Sequence, residues 1–144
     1  MSIYNLQVEN SIKNIGEKEY RKIWGEDPFK NLFTSWEYLS ILEESNCIGQ
    51  ETGWTINFFT FKKNGQIKIV APCFLKFHSY GEYVFDWAWA EAYHRSGVQY
   101  YPKLLFASPF TPISGARLLG ISNSTEIDIF RSGIEKWCRE NSLP

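Results

Sequence analysis

The sequence predicts one domain of mixed α/β (α+β) class, with a central mixed sheet that starts with an antiparallel hairpin and is flanked by helices. Strand patterns and helix patterns interleave along the chain. Lys63-Asn64-Gly65, between two apolar runs, carries the Asn-Gly hairpin signal. No linker rich in Pro, Gly or Ser divides the 144 residues, which are enough for one core.

The first part of the chain predicts a strand and two helices. Residues Ile3–Val8 alternate apolar and polar side chains, as a strand does. Glu17–Trp24 predicts a short helix that a following glycine and proline close. A second helix lies in "TSWEYLSILEES", where Thr34 and Glu37 have capping-box spacing. Its predicted apolar face consists of Phe33, Trp36, Leu39, Ile41 and Leu42.

The middle of the chain predicts two strands and one helix. The strands are Trp54–Phe61 and Gln66–Phe77. Because Pro72 cannot donate to a ladder, its strand is expected to be an edge there or to carry a bulge. Asp86 is expected to cap the helix "WAWAEAYHRS", and Gly97 to end it.

The last third predicts one buried strand, Lys103–Ala107, and a loop, "SPFTPISG", that two prolines and a glycine keep irregular. Arg117–Gly120 predicts a further short strand. An amphipathic helix then covers Thr125–Arg139. The side chains expected to be buried on it are Ile127, Phe130, Ile134, Trp137 and Cys138.

Charge and cysteine usage exclude several classes of protein. A net charge of −1 provides no basic field for DNA. Cys47, Cys73 and Cys138 are odd in number and widely spaced, which argues against a disulfide framework and a zinc site, so no metal is expected. No apolar run reaches the roughly 18 residues of a transmembrane helix, and no secretory signal is visible. The expected location is the cytoplasm.

Two carboxylates, Glu82 and Asp86, are interleaved with aromatic residues. Carboxylates beside apolar rings are costly to desolvate, so they must be paired, hydrogen-bonded or shifted in pKa, and this predicts a site. The alternative is structural. Asp86 would then cap the following helix, and Glu82 would pair with Lys76 or Lys103.

Other polar residues in the same region are weaker candidates. His78 is close enough in sequence for Glu82 or Asp86 to orient it. Two adjacent tyrosines precede Lys103, either as ligand contacts or as half-buried phenols with wet hydroxyls. Thr111 lies in a proline-framed loop of the kind that commonly carries binding groups. Arg117 would meet an anion or pair with a carboxylate of the protein.

Three motifs in this region resemble a known family. "HSYGEYVFDWAWAEAY", "YYPKLL" and "PFTPISGARLL" are similar, in order and spacing, to the bacterial FemAB-like predicted N-acyltransferases. These belong to the GNAT superfamily and are described as peptidoglycan biosynthesis or recognition proteins. The resemblance covers the chain from about Asp27 onward.

The resemblance implies a GNAT-like half-domain and acyl transfer to an amine, with acyl-CoA or aminoacyl-tRNA as the donor. Family members are longer, and their second half is expected to bind that donor. No glycine-rich pyrophosphate loop is present in this sequence. We therefore expect residues 1–144 to form the N-terminal domain of such a protein and to bind no cofactor alone.

Three functions follow as hypotheses. The first is the acceptor side of an N-acyltransferase, with Glu82 as the candidate catalytic residue. Its candidate binding residues are His78, Tyr80, Asp86, Tyr100, Tyr101, Lys103, Thr111 and Arg117. The second is a non-catalytic module that recognises peptidoglycan or a peptide. The third is a fragment without independent activity, which would self-associate through an unpaired sheet edge.

Overall fold

The computed structural model describes residues 3–144. The strands in this range are β1 (Tyr4–Glu9), β2 (Thr55–Ile56), β3 (Phe58–Lys63), β4 (Gln66–Ala71), β5 (Cys73–Lys76) and β6 (Lys103–Phe106). The helices are α1 (Ile12–Ile15), α2 (Glu17–Glu26), α3 (Trp36–Glu44), α4 (Trp87–Arg95) and α5 (Ser124–Glu140). A 3₁₀ turn, Leu32–Thr34, precedes α3. The expected mixed α+β class is confirmed.

The strands form two three-stranded sheets, with orders β1-β3-β4 and β2-β5-β6. Every strand pair in residues 3–144 is antiparallel. The expectation of one central mixed sheet is therefore wrong, because there are two sheets and both are antiparallel. The expected antiparallel hairpin is present as β3 and β4. At its tip Asn64 has φ 52° and Gly65 has φ 75°, as a two-residue primed turn requires.

Both long strands of the predicted hairpin are broken, and the breaks divide the two sheets. Pro72 separates β4 from β5, and Asn57 separates β2 from β3. The two breaks face each other, because the Asn57 amide donates to the Cys73 carbonyl at 2.9 Å. Pro72 is thus neither an edge residue within a strand nor a bulge. It lies where the chain passes from one sheet to the other, at a position that needs no backbone donor.

Adjacent phenylalanines of β3 point to opposite faces of the sheet and belong to two different cores. Phe58 packs with residues of α1, α2 and α3 in the first core. Phe59 and Phe61 pack against α5 in the second, where Phe61 and Phe130 have ring centroids 5.5 Å apart. The period-2 alternation of a strand therefore lets one short segment hold helices on both of its faces.

The helix α3 begins one residue later than the capping pattern predicts. Ser35 is the N-cap, and its Oγ accepts a hydrogen bond from the Tyr38 amide at 3.2 Å. Thr34 instead ends the 3₁₀ turn, buried, and Glu37 pairs with Arg21 of α2. The Thr34–Glu37 capping box is therefore wrong, because the preceding turn uses the Thr34 backbone.

Four other local expectations need correction. Ile41 and Ile127 are exposed, since the helices α3 and α5 turn those positions away from the cores. The predicted strand Arg117–Gly120 is reduced to a single antiparallel bridge between Leu119 and Val70. The strand β6 is half-buried rather than buried, because β5 is its one strand neighbour in the described chain.

Among residues 3–144, every helix is too short or too polar to cross a lipid bilayer. The same residues hold no group of three or more His, Cys, Asp or Glu side chains arranged to share a metal ion.

Candidate functional site

The candidate site forms where the paired strands β5 and β6 bring two lysines together. Lys76 and Lys103 are direct partners in the antiparallel register. The segment between these strands, which includes α4, folds back over them and supplies two carboxylates and three hydroxyls. We call the resulting group the polar cluster; its members are Lys76, Ser79, Glu82, Asp86, Tyr100, Tyr101 and Lys103.

Lys103 is the hub of the polar cluster. Its Nζ donates to Glu82 Oε2 at 2.8 Å, to Ser79 Oγ at 3.1 Å and to Asp86 Oδ2. The side chains of Lys103 and Glu82 are only 13% and 7% exposed. Burial alone would lower the pKa of Lys103, but its hydrogen bonds and the two carboxylates raise it. Lys103 therefore stays charged and holds both acids in place.

Asp86 occupies the N-cap position of α4 but does not cap the helix with its side chain. Its carboxylate accepts hydrogen bonds from Ser79, Tyr100 and Lys103 instead. Burial opposes its ionisation, yet these three donors lower the pKa of Asp86 to about 2. Burial, and then the bond to Asp86, raise the pKa of Tyr100. Asp86 is thus at the N-cap position, as expected, but the expectation that its side chain caps the helix is wrong.

Asp86 is expected to make stability depend on pH in the acid range. Its pKa falls from 3.8 to about 2 on folding, so between these values the unfolded chain binds more protons. Its stabilisation is complete above about pH 4 and is lost as the pH falls to about 2. We expect Asp86→Asn to lower the free energy of unfolding by about 2 kcal/mol at neutral pH and by much less at the acid end, as urea titrations would measure. An equal loss at both pH values would contradict this account.

Lys76 is a member of the polar cluster that the sequence did not single out as a ligand contact. Its side chain is fully buried, and its Nζ donates to the Tyr80 carbonyl at 2.7 Å. The same atom lies 3.8 Å from Glu82 Oε1 and 3.9 Å from the centroid of the Trp54 ring. Burial lowers the pKa of Lys76 to about 8, against the attraction of Glu82. The sequence could have indicated that Lys76 is buried, because it follows the apolar Phe74 by two residues and therefore lies on the same face of β5.

A small pocket of about 170 Å³ opens beside the polar cluster. Glu82 and Ser108 both line it, and both side chains are almost completely buried. Glu82 Oε1 and Ser108 Oγ have no hydrogen-bond partner. Both atoms are buried from solvent, and the Lys76 ammonium, 3.8 Å from Glu82 Oε1, supplies that oxygen with a charged neighbour. Ser108 begins the proline-framed loop that also holds Thr111.

The remaining predicted residues lie outside the polar cluster. His78 packs against Gly53, and its Nδ1 accepts from the Tyr80 amide at 3.2 Å. The Tyr80 side chain is exposed, so it joins the cluster only through its carbonyl. Thr111 lines the small pocket. Arg117 donates to two carbonyls of its own loop, and burial lowers its pKa. Within residues 3–144, Arg117 forms no ion pair with a carboxylate.

Exposed aromatic rings form a second surface next to the site, which we call the aromatic patch. It consists of Tyr80, Phe85 and Trp87, each more than half exposed. The ring centroids of Phe85 and Trp87 are 4.8 Å apart, and those of Tyr80 and Trp87 are 6.5 Å apart. The helix α4 has no buried residue, so its aromatic side chains do not form part of either core.

Comparison with known families assigns the chain. The FemAB-like family, described as peptidoglycan biosynthesis/recognition, matches residues 11–143. The chain belongs to the FemAB-like family. Neither the curated proteins nor the solved structures include a significant match to it.

Membership in the FemAB-like family covers nearly the whole chain and includes every residue of the polar cluster. It gives the protein a role related to peptidoglycan at the level of the family description. The three motifs of the sequence lie around this one site: the first supplies Glu82 and Asp86, the second supplies Lys103, and the third follows Ser108 directly.

Proposed function

We propose that this FemAB-like protein contributes the acceptor side of an N-acyltransferase that acts in peptidoglycan metabolism. The observation that carries the proposal is the convergence of two acids on Lys103 beside an open pocket. An ion-paired cluster of this kind costs free energy to desolvate, so its placement next to a pocket favours a functional use.

In the proposed reaction an acceptor amine attacks the carbonyl carbon of an acyl donor, acyl-CoA or aminoacyl-tRNA. A C–N bond forms, and the donor's C–S or C–O bond breaks. The proton lost by the amine leaves with the thiol or hydroxyl group. Because the nitrogen needs its lone pair, the site must bind the amine without a proton or remove that proton. Glu82 is the residue proposed to orient the amine.

The proposal assigns different tasks to the two acids. Glu82 lines the pocket; its Oε2 accepts from Lys103, and its Oε1 makes no hydrogen bond but has the Lys76 ammonium 3.8 Å away. Asp86 is fully engaged by three donors of the protein. Asp86 is therefore a positioning residue that holds Lys103, and through Lys103 it holds Glu82.

Glu82→Gln is expected to reduce acyl transfer by about a hundredfold, the usual scale for losing a group that prepares the nucleophile. The transfer of labelled acyl groups to a muropeptide amine is the measurement, made in a longer FemAB-like protein with the same motif. The matched control is Glu91→Gln, which changes an exposed acid of α4 paired only with Arg95. Unchanged turnover in the Glu82 variant would remove Glu82 from the mechanism.

The aromatic patch favours a second candidate function, recognition of peptidoglycan fragments without catalysis. Amphipathic rings suit the mixed polar and apolar faces of sugars and peptides, and exposed patches of this kind commonly mark binding surfaces. In this case the patch, rather than the pocket, would carry the affinity.

Trp87→Ala separates the two candidates. If recognition dominates, muropeptides quench or shift the tryptophan fluorescence of the unchanged protein, and we expect Trp87→Ala to weaken binding by about tenfold. Phe29→Ala is the control, since Phe29 is also more than half exposed but lies outside the patch. Absence of any response to muropeptides, with acyl transfer intact in the longer protein, would rule out the second candidate.

A further inference from the structure

Trp54 offers the small pocket an indole N–H that has no partner. Its ring is buried and lines the pocket together with Gly81. Within residues 3–144, Trp54 Nε1 donates to no acceptor, whereas Trp24 Nε1 donates to the Asn31 carbonyl at 3.1 Å. The unpaired side-chain atoms that are sealed from solvent in this range are Asn31 Nδ2, Thr60 Oγ1, Glu82 Oε1 and Ser108 Oγ. Trp54 Nε1 does not belong to this sealed set, so its donor remains accessible.

The glycine at position 81 keeps the space beside this N–H open. Gly81 has φ +79°, and a Cβ built on it would lie 2.8 Å from Trp54 Nε1 and 3.5 Å from Phe110 Cε1. The Nε1 edge of the Trp54 ring therefore faces the turn that carries Gly81, and both residues line the same pocket. A side chain at position 81 would crowd the N–H, because carbon atoms make their best contacts at roughly 3.5 Å or more.

Lys76 strengthens this donor. Its ammonium lies 3.9 Å from the centroid of the Trp54 ring, in a cation–π contact. The positive charge draws electron density from the indole and makes its N–H a stronger hydrogen-bond donor. Because an indole N–H only donates, the group that pairs with it must supply a lone pair. An ammonium group has no lone pair, so the partner of Trp54 is not a protonated amine.

The size and the walls of the pocket favour a small uncharged acceptor. Its volume of about 170 Å³ is below the roughly 300–1,000 Å³ of sites that enclose a whole small molecule, so it suits a single substituent. Val84, Leu105 and Phe110 provide apolar walls. An anion would lose its hydration against these walls and lie beside the Glu82 carboxylate, which is costly. An amide carbonyl is a strong acceptor that carries no charge.

We infer that the small pocket is a subsite for a small uncharged amide, of the size of an acetamido group, whose carbonyl oxygen accepts a hydrogen bond from Trp54 Nε1. The apolar carbon of the amide packs against Leu105 and Phe110. The inference rests on the proposed function and names a feature of the acceptor, which carries a short amide besides its reacting amine. Because Glu82 lines the same pocket, the bound amide anchors the acceptor beside the proposed catalytic residue.

The test titrates the protein with N-methylacetamide and follows the indole N–H signals of its six tryptophans by NMR. The Trp54 signal is identified by its loss in Trp54→Phe. We expect a saturable shift of that signal, because its N–H gains a partner. Trp24 is an internal control, since its N–H is already bonded, and the exposed Trp87 and Trp89 report the unsaturable effect of the added amide on the solvent. Acetate, an anion of similar size, is expected to bind at least about tenfold more weakly.

Gly81→Ala and Gly97→Ala form a matched pair of variants that keep the Trp54 signal. Both glycines have positive φ, so an added methyl group strains both backbones. At Gly81 the methyl group also occupies the space beside Trp54 Nε1, whereas at Gly97 nothing lies within 4 Å of it. We expect Gly81→Ala to abolish the saturable shift and Gly97→Ala to retain it, with melting curves confirming that both variants are folded.

Three results would overturn the inference: no saturable shift of the Trp54 signal in the unchanged protein, a shift that folded Gly81→Ala retains, or acetate binding as tightly as N-methylacetamide. The titration of the unchanged protein decides the question even if Gly81→Ala does not fold. None of these readouts needs turnover, so they are independent of the acyl-transfer measurement. Amide binding without acyl transfer would refute the proposed reaction alone. Acyl transfer without amide binding at Trp54 would refute the inference alone.

Discussion

Replacing Lys103 by methionine is expected to destabilise the protein by about 3 kcal/mol, because it leaves two carboxylates in a buried cluster without their shared cation. Glu82 would retain only Lys76, at 3.8 Å, and Asp86 would lose its charged partner. Urea unfolding near neutral pH measures the loss. The hydrocarbon stem is kept in the variant, so the change reports on charge rather than on packing.

Two further variants make the Lys103 experiment specific. Arg131→Met removes a cation that pairs with Asp128 on the exposed surface of α5, and we expect it to change the free energy of unfolding by less than about 0.5 kcal/mol. Lys103→Met combined with Asp86→Asn is expected to recover part of the loss, since one buried charge disappears with its partner. A Lys103 variant as stable as the Arg131 variant would show that the cluster is not buried in solution.

Replacing Gly120 by alanine is the second change with a large expected effect, again about 3 kcal/mol of destabilisation. Gly120 has φ +88°, and an added Cβ would lie 2.1 Å from the Lys68 carbonyl oxygen. Its amide also donates to Asp27 Oδ2 at 3.3 Å, next to the bridge between Leu119 and Val70. The backbone must therefore shift and would strain the contact that holds the C-terminal third to β4.

Gly97→Ala is the matched control for this experiment. Gly97 also has positive φ, at the end of α4, but nothing lies within 4 Å of an added Cβ. We expect it to cost about 1 kcal/mol, the strain of the backbone conformation alone. Comparing the thermal unfolding of both variants separates the cost of backbone strain from the cost of the steric clash at Gly120. Equal losses in the two variants would mean that the segment around Gly120 moves without cost.

The hairpin and the polar cluster show why some features were readable from the sequence and others were not. Asn64-Gly65 specifies a turn through local backbone preference, and the structure has that turn. Asp86 also lies at the predicted N-cap, but three donors that are 7, 14 and 17 residues away in the chain hold its side chain. A local pattern predicts the backbone position, whereas competing partners decide where a side chain points.

The two sheets illustrate the same limit at a larger scale. The sequence predicted long strands, and Pro72 marked an irregularity in one of them. The partner strand is interrupted at Asn57, opposite this irregularity, and there the chain passes from one sheet to the other. This second break depends on a contact between the two strands, the hydrogen bond from the Asn57 amide to the Cys73 carbonyl. The exposure of Ile41 and Ile127 has a similar origin. Amphipathic periodicity predicts which face of a helix is apolar, but it does not predict how much of that face the rest of the protein covers.

The sequence by itself determined the class of fold, the hairpin turn, most element positions and the family, because these depend on local preferences, periodicity and motif spacing. The candidate residues predicted from the sequence also lie in one segment of the chain, His78–Arg117. The tertiary structure alone decided that Lys76 and Lys103 are strand partners, that both acids turn toward them, and that Glu82 and Ser108 share a pocket. These facts depend on strand register and on burial, which make a charge seek its partner across the fold rather than along the chain.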